Sequence, residues 1–297
     1  MGNSHLSRFA LRRRLITGII GRLALGVLAA GSGGISHLSA RPLDAVMQAG
    51  VLRVAIYRDY KPYSWVENGK ITGIDADIAV ALANNLGLKA DLFDLRADDN
   101  LDDDLRNGVW KGTIFGAAPG DVMMHVPYDK RIEEKNDRVV VLSPYHTDGL
   151  ALAVDPDKAS EAIDFSVFLK EKVAVDVGTL SDLVLISAFD QKLVPNIVHF
   201  RGTERAAGAY ERGEVAGFYG EASTVESLAK KSTRPVAIVY PKTRLKQNWQ
   251  IGMAVRSDSK DLGAKLSEQI ARLEDSGEME RIFARYGVSW KKPASAQ

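Results

Sequence analysis

The sequence predicts an α/β fold in which a mostly parallel sheet is covered by helices. From Val51 onward, short runs rich in Val, Ile and Ala alternate with segments of helical period, the pattern of strands buried on both faces between crossover helices. Two proline-bearing stretches, 143–149 and 240–248, lie between strand candidates where a chain would cross between two lobes. The length of 297 residues suits two modest domains or one larger one. With 45% hydrophobic and 26% charged residues, disordered and fibrous classes drop out. A net charge of +1 gives no general affinity for nucleic acid or an anionic membrane. The absence of cysteine excludes disulfide scaffolds, zinc–thiolate sites and cysteine nucleophiles.

The elements follow in order. Residues 1–40 read as an export segment, with Arg8, Arg12, Arg13 and Arg14 ahead of an apolar, glycine-rich run over 15–30. Arg12-Arg13-Arg14-Leu15-Ile16 fits the twin-arginine route, and the ordinary secretory route fits as well. Arg22 breaks the run short of the ~20 apolar residues that a membrane span needs. Cleavage after Ala40 is expected, with an uncleaved anchor as the alternative. A short helix from Leu43, a strand at 51–56 and an aromatic loop from Tyr57 to Trp65 come next. Asp75 is placed to cap a helix whose apolar face is Ile78, Leu82 and Leu86, closed by Gly87. Further strands are expected at 90–93, 121–125, 139–142, 150–154, 172–177, 216–219, 236–240 and 251–255. Leu262, Leu266, Ile270 and Leu273 mark a helix ending near Gly277, and Met279, Ile282, Phe283 and Tyr286 one ending at Gly287. One lobe is then 42–145 plus 244–290, the second is the insertion 149–239, and 291–297 is a loose tail.

The run Leu43-Asp-Ala-Val-Met-Gln-Ala-Gly-Val-Leu-Arg-Val-Ala-Ile56, the loop Tyr57-Arg-Asp-Tyr-Lys-Pro-Tyr-Ser-Trp65 and the segment Gly69-Lys-Ile-Thr-Gly-Ile-Asp-Ala-Asp-Ile78 closely resemble the mature start of the type 3 periplasmic solute-binding proteins. Those proteins capture ligands for polar amino-acid uptake. Ile270-Ala-Arg-Leu-Glu-Asp-Ser-Gly-Glu-Met-Glu-Arg-Ile-Phe-Ala-Arg-Tyr-Gly287 is similar to the family's closing two-helix signature. The resemblance implies a two-lobed fold with a central cleft and a periplasmic location. It also implies a monomer without cofactor or metal, a small polar ligand, an ABC-type membrane permease as partner, and no nucleic acid.

In open α/β sheets, ligands sit beyond the carboxyl ends of the strands. That rule selects Asp59, Tyr60 and Trp65 after the first strand, in a loop that supplies the family's stacking ring; packing of the loop onto its lobe is the other reading. In Lys172-Val-Ala-Val-Asp-Val-Gly-Thr-Leu-Ser181 a strand runs into Gly178 and Thr179 at a helix start, where free N–H groups favour an anion and Thr179 or Ser181 can cap. Tyr145 lies in the first crossing. Tyr219 precedes Glu221, which stands where the family's amino-acid binders carry an aspartate for the ligand amine. The family's Thr-Pro-Glu-Arg segment, whose arginine forks onto the ligand carboxylate, is missing. Arg131 lies two residues short of that position, with Lys130 and Arg138 as other cations, and the amino-acid reading weakens accordingly. Met123 and Met124 fill core or soften the cleft, and His125 is either structural or a ligand contact. Asp98, Asp99, Asp102, Asp103 and Asp104 lack the spacing of a calcium loop and read as solvated and helix-initiating charge.

Beyond residue 40 no Gly-x-Ser-x-Gly elbow, His-Glu-x-x-His, phosphate loop or dinucleotide fingerprint occurs. Solute capture for uptake therefore leads. A dehydratase of the cyclohexadienyl type, with Glu221 as general acid, is one alternative. Another is a periplasmic accessory of a quinoprotein alcohol dehydrogenase, since Trp110-Lys-Gly and Asp121-Val-Met-Met-His-Val-Pro127 resemble segments of such relatives.

Overall fold

The computed structural model describes residues 41–114, 116–243 and 245–294. The export segment expected over 1–40 lies outside these residues. The elements are α1 Leu43–Ala49, β1 Val51–Tyr57, β2 Asp59–Tyr60, β3 Ser64–Glu67, β4 Lys70–Thr72, α2 Ile74–Asn85, β5 Lys89–Leu95, α3 Leu101–Leu105, β6 Val122–Pro127, α4 Lys130–Lys135 and β7 Val139–Val154. Then follow α5 Ala159–Ala162, β8 Val173–Asp176, α6 Leu180–Ser187, β9 Ile197–Phe200, α7 Thr203–Glu211, β10 Gly217–Glu221, α8 Ala222–Lys231, β11 Ala237–Val239, β12 Asn248–Arg256, α9 Lys260–Asp275 and α10 Glu278–Arg285. The small antiparallel sheet β2-β3-β4 carries no signal that the sequence reading used.

The main sheet runs β5-β1-β6-β12-β7-β10-β8-β9, with β11 also on β7. Its first half buries Val54, Ile56, Ile78, Leu82, Leu266, Ile270 and Phe283 in one core. Its second half buries Leu152, Val154, Phe168, Val173 and Tyr219 on one face and Ala151, Ala153, Tyr210 and Phe218 on the other. Each lobe thus owns a core, and β7 is common to both. Expected as two strands, it is a single strand of 16 residues, because β12 pairs along its first part from Arg256↔Val139 to Asn248↔Gly149. The crossing thereby keeps its backbone hydrogen bonds.

Two register shifts interrupt this pairing. Met253 of β12 faces both Met124 and His125 of β6, and Gly252 faces three residues of β7, Ser143 to Tyr145. The extra residues make bulges, and His125 and Ser143 take left-handed φ values of 61° and 50°. Glycine at 252 is required by closeness, since a Cβ there would lie 2.7 Å from the Leu142 carbonyl oxygen.

Helix α2 corrects the expected cap. Gly73, not Asp75, is its N-cap residue, with φ 125° and a site where a Cβ would meet the Tyr63 oxygen at 2.2 Å. Asp75 is turned fully inward instead. Asp121 lies outside β6, because its buried carboxylate takes a fork from Arg41, Nε to Oδ1 at 3.0 Å and Nη2 to Oδ2 at 2.5 Å, and the Arg53 amide at 2.8 Å. The tail also differs from expectation over its described part. Thr147 N–H donates to the Lys291 carbonyl at 2.9 Å, Lys291 Nζ reaches Glu226 Oε1 at 3.0 Å, and Gln250 Nε2 donates to the Ala294 carbonyl at 2.9 Å. Unpaired groups on the crossing strands give the tail its binding partners. No helix among the described residues is long and apolar enough to cross a membrane.

Candidate functional site

The lobe-1 wall of the cleft is built on Asp75. The first turn of α2 holds its carboxylate in the core, where Tyr145 Oη donates to Oδ1 at 2.6 Å and His125 Nδ1 meets Oδ2 at 3.0 Å. The β6 bulge aims His125 there, and the Tyr145 hydroxyl also accepts the His125 amide at 3.1 Å. The imidazole packs edge-on to the rings of Tyr60 and Tyr63, with centroids 4.5 and 4.3 Å away. Burial pushes the hydroxyls of Tyr60, Tyr63 and Tyr145 well above their ordinary range, and the neighbouring carboxylates add to this. They are donors at any physiological pH.

Asp148, on the β7 crossing, joins the walls. It accepts from Tyr63 Oη at 2.6 Å, Ser223 Oγ at 2.6 Å, Ser223 N–H at 3.3 Å and Gly149 N–H at 2.7 Å. Four groups thus converge on its two oxygens.

The lobe-2 wall comes from the ends of β8 and β10. Thr179 caps α6, accepting the Asp182 amide at 3.3 Å, and its Oγ1 lies 2.7 Å from Ser181 Oγ. The Gly178 amide, expected to be open to an anion, is taken by Asp182 Oδ2 at 2.8 Å, because this buried carboxylate folds back over the helix start. Tyr219 is fully buried, and its hydroxyl has no hydrogen-bond partner. Beside it, with Thr179, Ser181 and Trp249, lies a small cavity of about 60 Å³. Glu221 reaches across to lobe 1, accepting a hydrogen bond from Tyr60 Oη at 2.6 Å. Its carboxyl is raised to about 7 by burial first and by the charge of Asp148 second.

The structure thus gathers Tyr60, His125, Thr179, Ser181, Tyr219 and Glu221 around one cleft, while Tyr145 is fully buried behind His125 and supports its wall. Tyr60, Trp65, Thr179 and Glu221 line its main cavity of about 1210 Å³, and Asp59, Tyr60 and His125 line a lobe-1 pocket of about 640 Å³. Trp65 packs edge-on to Tyr286 at 5.8 Å, with Lys61 and Lys231 about its ring, which seats the loop on its lobe. Arg131 is not at the site. It is exposed and forks onto Asp129, the cap of α4 two residues before it. Arg138 stacks on Trp110 at 4.7 Å, and Lys130 is exposed. Met123 and Met124 are core. In the acidic run Asp104 turns inward to accept from Tyr57 Oη and the Asp98 amide, both at 2.7 Å. Among the described residues no group of three or more candidate ligands could hold a metal.

Sequence reasoning missed Asp75, Asp148 and Ser223 as members of the site. Asp75 was masked by its position at a helix start. Asp148 and Ser223 each sit beside a residue that was singled out, in the first crossing and after Glu221.

Residues 52–116 match the family model of the bacterial extracellular solute-binding proteins, family 3. A cyclohexadienyl dehydratase of Pseudomonas aeruginosa is 50% identical over 48 residues, a match covering 16% of this chain and only 18% of that protein. A putative ABC transporter arginine-binding protein of Escherichia coli is 24% identical over 80% of this chain and 91% of its own length. Among solved structures, an ancestral cationic amino acid solute-binding protein superposes with a TM-score of 0.65 at 24% identity, over 82% of this chain and 98% of that one. The L-cystine solute receptor of Neisseria gonorrhoeae, in its unliganded open conformation, gives 0.61 at 18% identity over 86% of this chain and all of that one. Residues 52–116 thus resemble the bacterial extracellular solute-binding proteins, family 3, and the described residues share the two-lobed α/β fold of these solved solute-binding proteins.

Proposed function

We propose that the protein is an exported solute receptor that captures a small polar molecule by closing its lobes and presents it to a membrane permease of an ABC-type uptake system. The observation that carries this reading is the 2.6 Å hydrogen bond from Tyr60 to Glu221, which spans the cleft from one lobe to the other. Walls that reach each other through two side chains can both touch one small ligand. A ligand stacked on Tyr60 and bonded to Glu221 gains the second contact only when the lobes meet, so binding shifts the hinge toward the closed form. A differential affinity of about 5.5 kcal/mol takes such a hinge from mostly open to mostly closed.

A thermal-shift screen of the processed protein against amino acids, polyamines and organic acids tests this. At a hundred times its dissociation constant a true ligand adds about 2.7 kcal/mol to folding stability. A screen in which no solute raises Tm removes the receptor reading.

A dehydratase is the second reading, favoured by the short dehydratase match and by the buried, upshifted Glu221 carboxyl, suited to giving up a proton near neutrality. Loss of arogenate or prephenate on incubation with the protein would establish it, and full recovery of both would end it. Of the two segments behind the quinoprotein accessory reading, Val122 to Val126 are buried and only Trp110, Lys111 and Pro127 reach the surface.

A further inference from the structure

The small cavity in lobe 2 is a side pocket of the main one. Asp176, Thr179, Thr203 and Glu221 line both, while Leu150, Phe218 and Trp249 give the small cavity apolar walls. At about 60 Å³ against about 1210 Å³, it admits the end of a solute and not a whole one. Ser181 and Tyr219 also line it, and both are buried.

The hydrogen bonds of these hydroxyls can be followed one proton at a time. The Thr179 hydroxyl has a single hydrogen, and it goes to the Asp176 carbonyl at 2.7 Å. In the 2.7 Å contact between Thr179 Oγ1 and Ser181 Oγ, Ser181 is therefore the donor. That uses the Ser181 hydrogen and leaves its lone pairs as acceptors. Tyr219 is the reverse case. Its hydroxyl has no hydrogen-bond partner among the described residues, and burial keeps it protonated. Gln247, on the second crossing, lies beside it without hydrogen-bond geometry and gives its own amide N–H to Thr243 Oγ1. The ring is fully buried and packs edge-on to Phe165 at 5.1 Å, so the hydroxyl is held in place. The pocket thus offers one donor and one acceptor. A hydroxyl matches both with a single oxygen, and a primary carboxamide matches them with its oxygen and nitrogen. A carboxylate has no hydrogen for Ser181 and would face the Asp176 carboxylate with no cation in the lining. An ammonium has no acceptor for the Tyr219 hydrogen, and a methyl satisfies neither residue.

We propose, resting on the receptor reading above, that Tyr219 and Ser181 form a specificity subsite that selects small solutes ending in a neutral hydroxyl or carboxamide. Against the same solute ending in a methyl or a carboxylate, which leaves the buried Tyr219 donor or the Ser181 acceptor unmatched, the preference is expected at about tenfold to a hundredfold.

Titration calorimetry of the processed protein with matched solutes tests this, L-homoserine against L-norvaline and L-glutamine against L-glutamate, on the wild type, Tyr219→Phe and Ser181→Ala. The wild type is expected to prefer homoserine and glutamine by that margin, and both variants to bind the two members of a pair about alike, with affinity for norvaline unchanged. A wild type without the preference, or a preference that survives in Tyr219→Phe, overturns the subsite and leaves the receptor standing; this is also the result if ordered water alone occupies the pocket. A control without solute decides separately whether the hydroxyl is satisfied inside the protein. With no partner to lose, Tyr219→Phe is expected to match or exceed the wild-type Tm, and a clear fall in Tm overturns the subsite. If the wider thermal-shift screen finds ligands only among solutes with neither group, the subsite falls alone. If it finds none, the receptor reading falls with it.

Discussion

The two walls of the cleft are made differently. The lobe-2 wall is local: Gly178, Thr179, Ser181 and Asp182 satisfy one another within five residues, and Glu221 sits at the end of the adjoining strand β10. The lobe-1 wall is assembled from afar, with Asp75, His125 and Tyr145 brought from a helix, a bulged strand and the crossing into one buried network. A local wall is replaceable residue by residue. A wall of distant parts fails as a unit, because each partner lost leaves a buried polar group unpaired.

The largest effect that would sharpen this contrast is expected at Gly73, where the aromatic loop passes over the start of α2. Gly73→Ala places a Cβ against the Tyr63 carbonyl in a backbone conformation foreign to L residues. It should cost roughly 3 to 5 kcal/mol in chemical denaturation. A loss below 1 kcal/mol would mean that the loop is not seated as described.

Next is Asp75→Ala, which strands the Tyr145 hydroxyl and the His125 ring at once and should cost about 3 kcal/mol. If the two walls are alike after all, this value will match that of Thr179→Ala. Between these lies a pH effect. His146 on the crossing is held down to about 4 by burial, against an ordinary value of 6.5. The unfolded chain then takes up a proton between pH 6.5 and 4 that the folded one refuses, so stability falls as pH drops through that window, by up to about 3 kcal/mol. Denaturation midpoints across that range should flatten in His146→Gln, and an unflattened profile assigns the acid lability elsewhere. The smallest effect belongs to the local wall: Thr179→Ala removes one cap and should cost about 1 kcal/mol.

The same contrast explains what the sequence could and could not say. Strand β1, helix α2 and the closing helices were legible because hydrophobic period and terminal glycines sit in contiguous residues. Tyr60, Thr179 and Glu221 could be placed on the cleft because they lie at or just beyond the ends of β1, β8 and β10. Arg131 was misplaced because a charge near a strand end carries no sign of which way its chain turns, and Asp129 two residues away claims it first. Asp75 was misread for a related reason: at a helix start a carboxylate cap and a buried acceptor look alike until the loop at Gly73 fixes which way the first turn faces. The 16-residue β7 could not be foreseen either, since Pro144 reads as a break until β12 lies beside it.

The bulges opposite Gly252 and Met253 have a consequence for descent. In a strand, sliding the pairing by one residue turns every side chain beyond it to the opposite face. Single-residue deletions near 124 or 144 would remove the slack that presents His125 and Tyr145 to Asp75, turning both outward while hydrophobic composition hardly changes. Relatives lacking one residue within β6 or β7 would therefore be expected to present other side chains at this wall, however similar the rest of the chain.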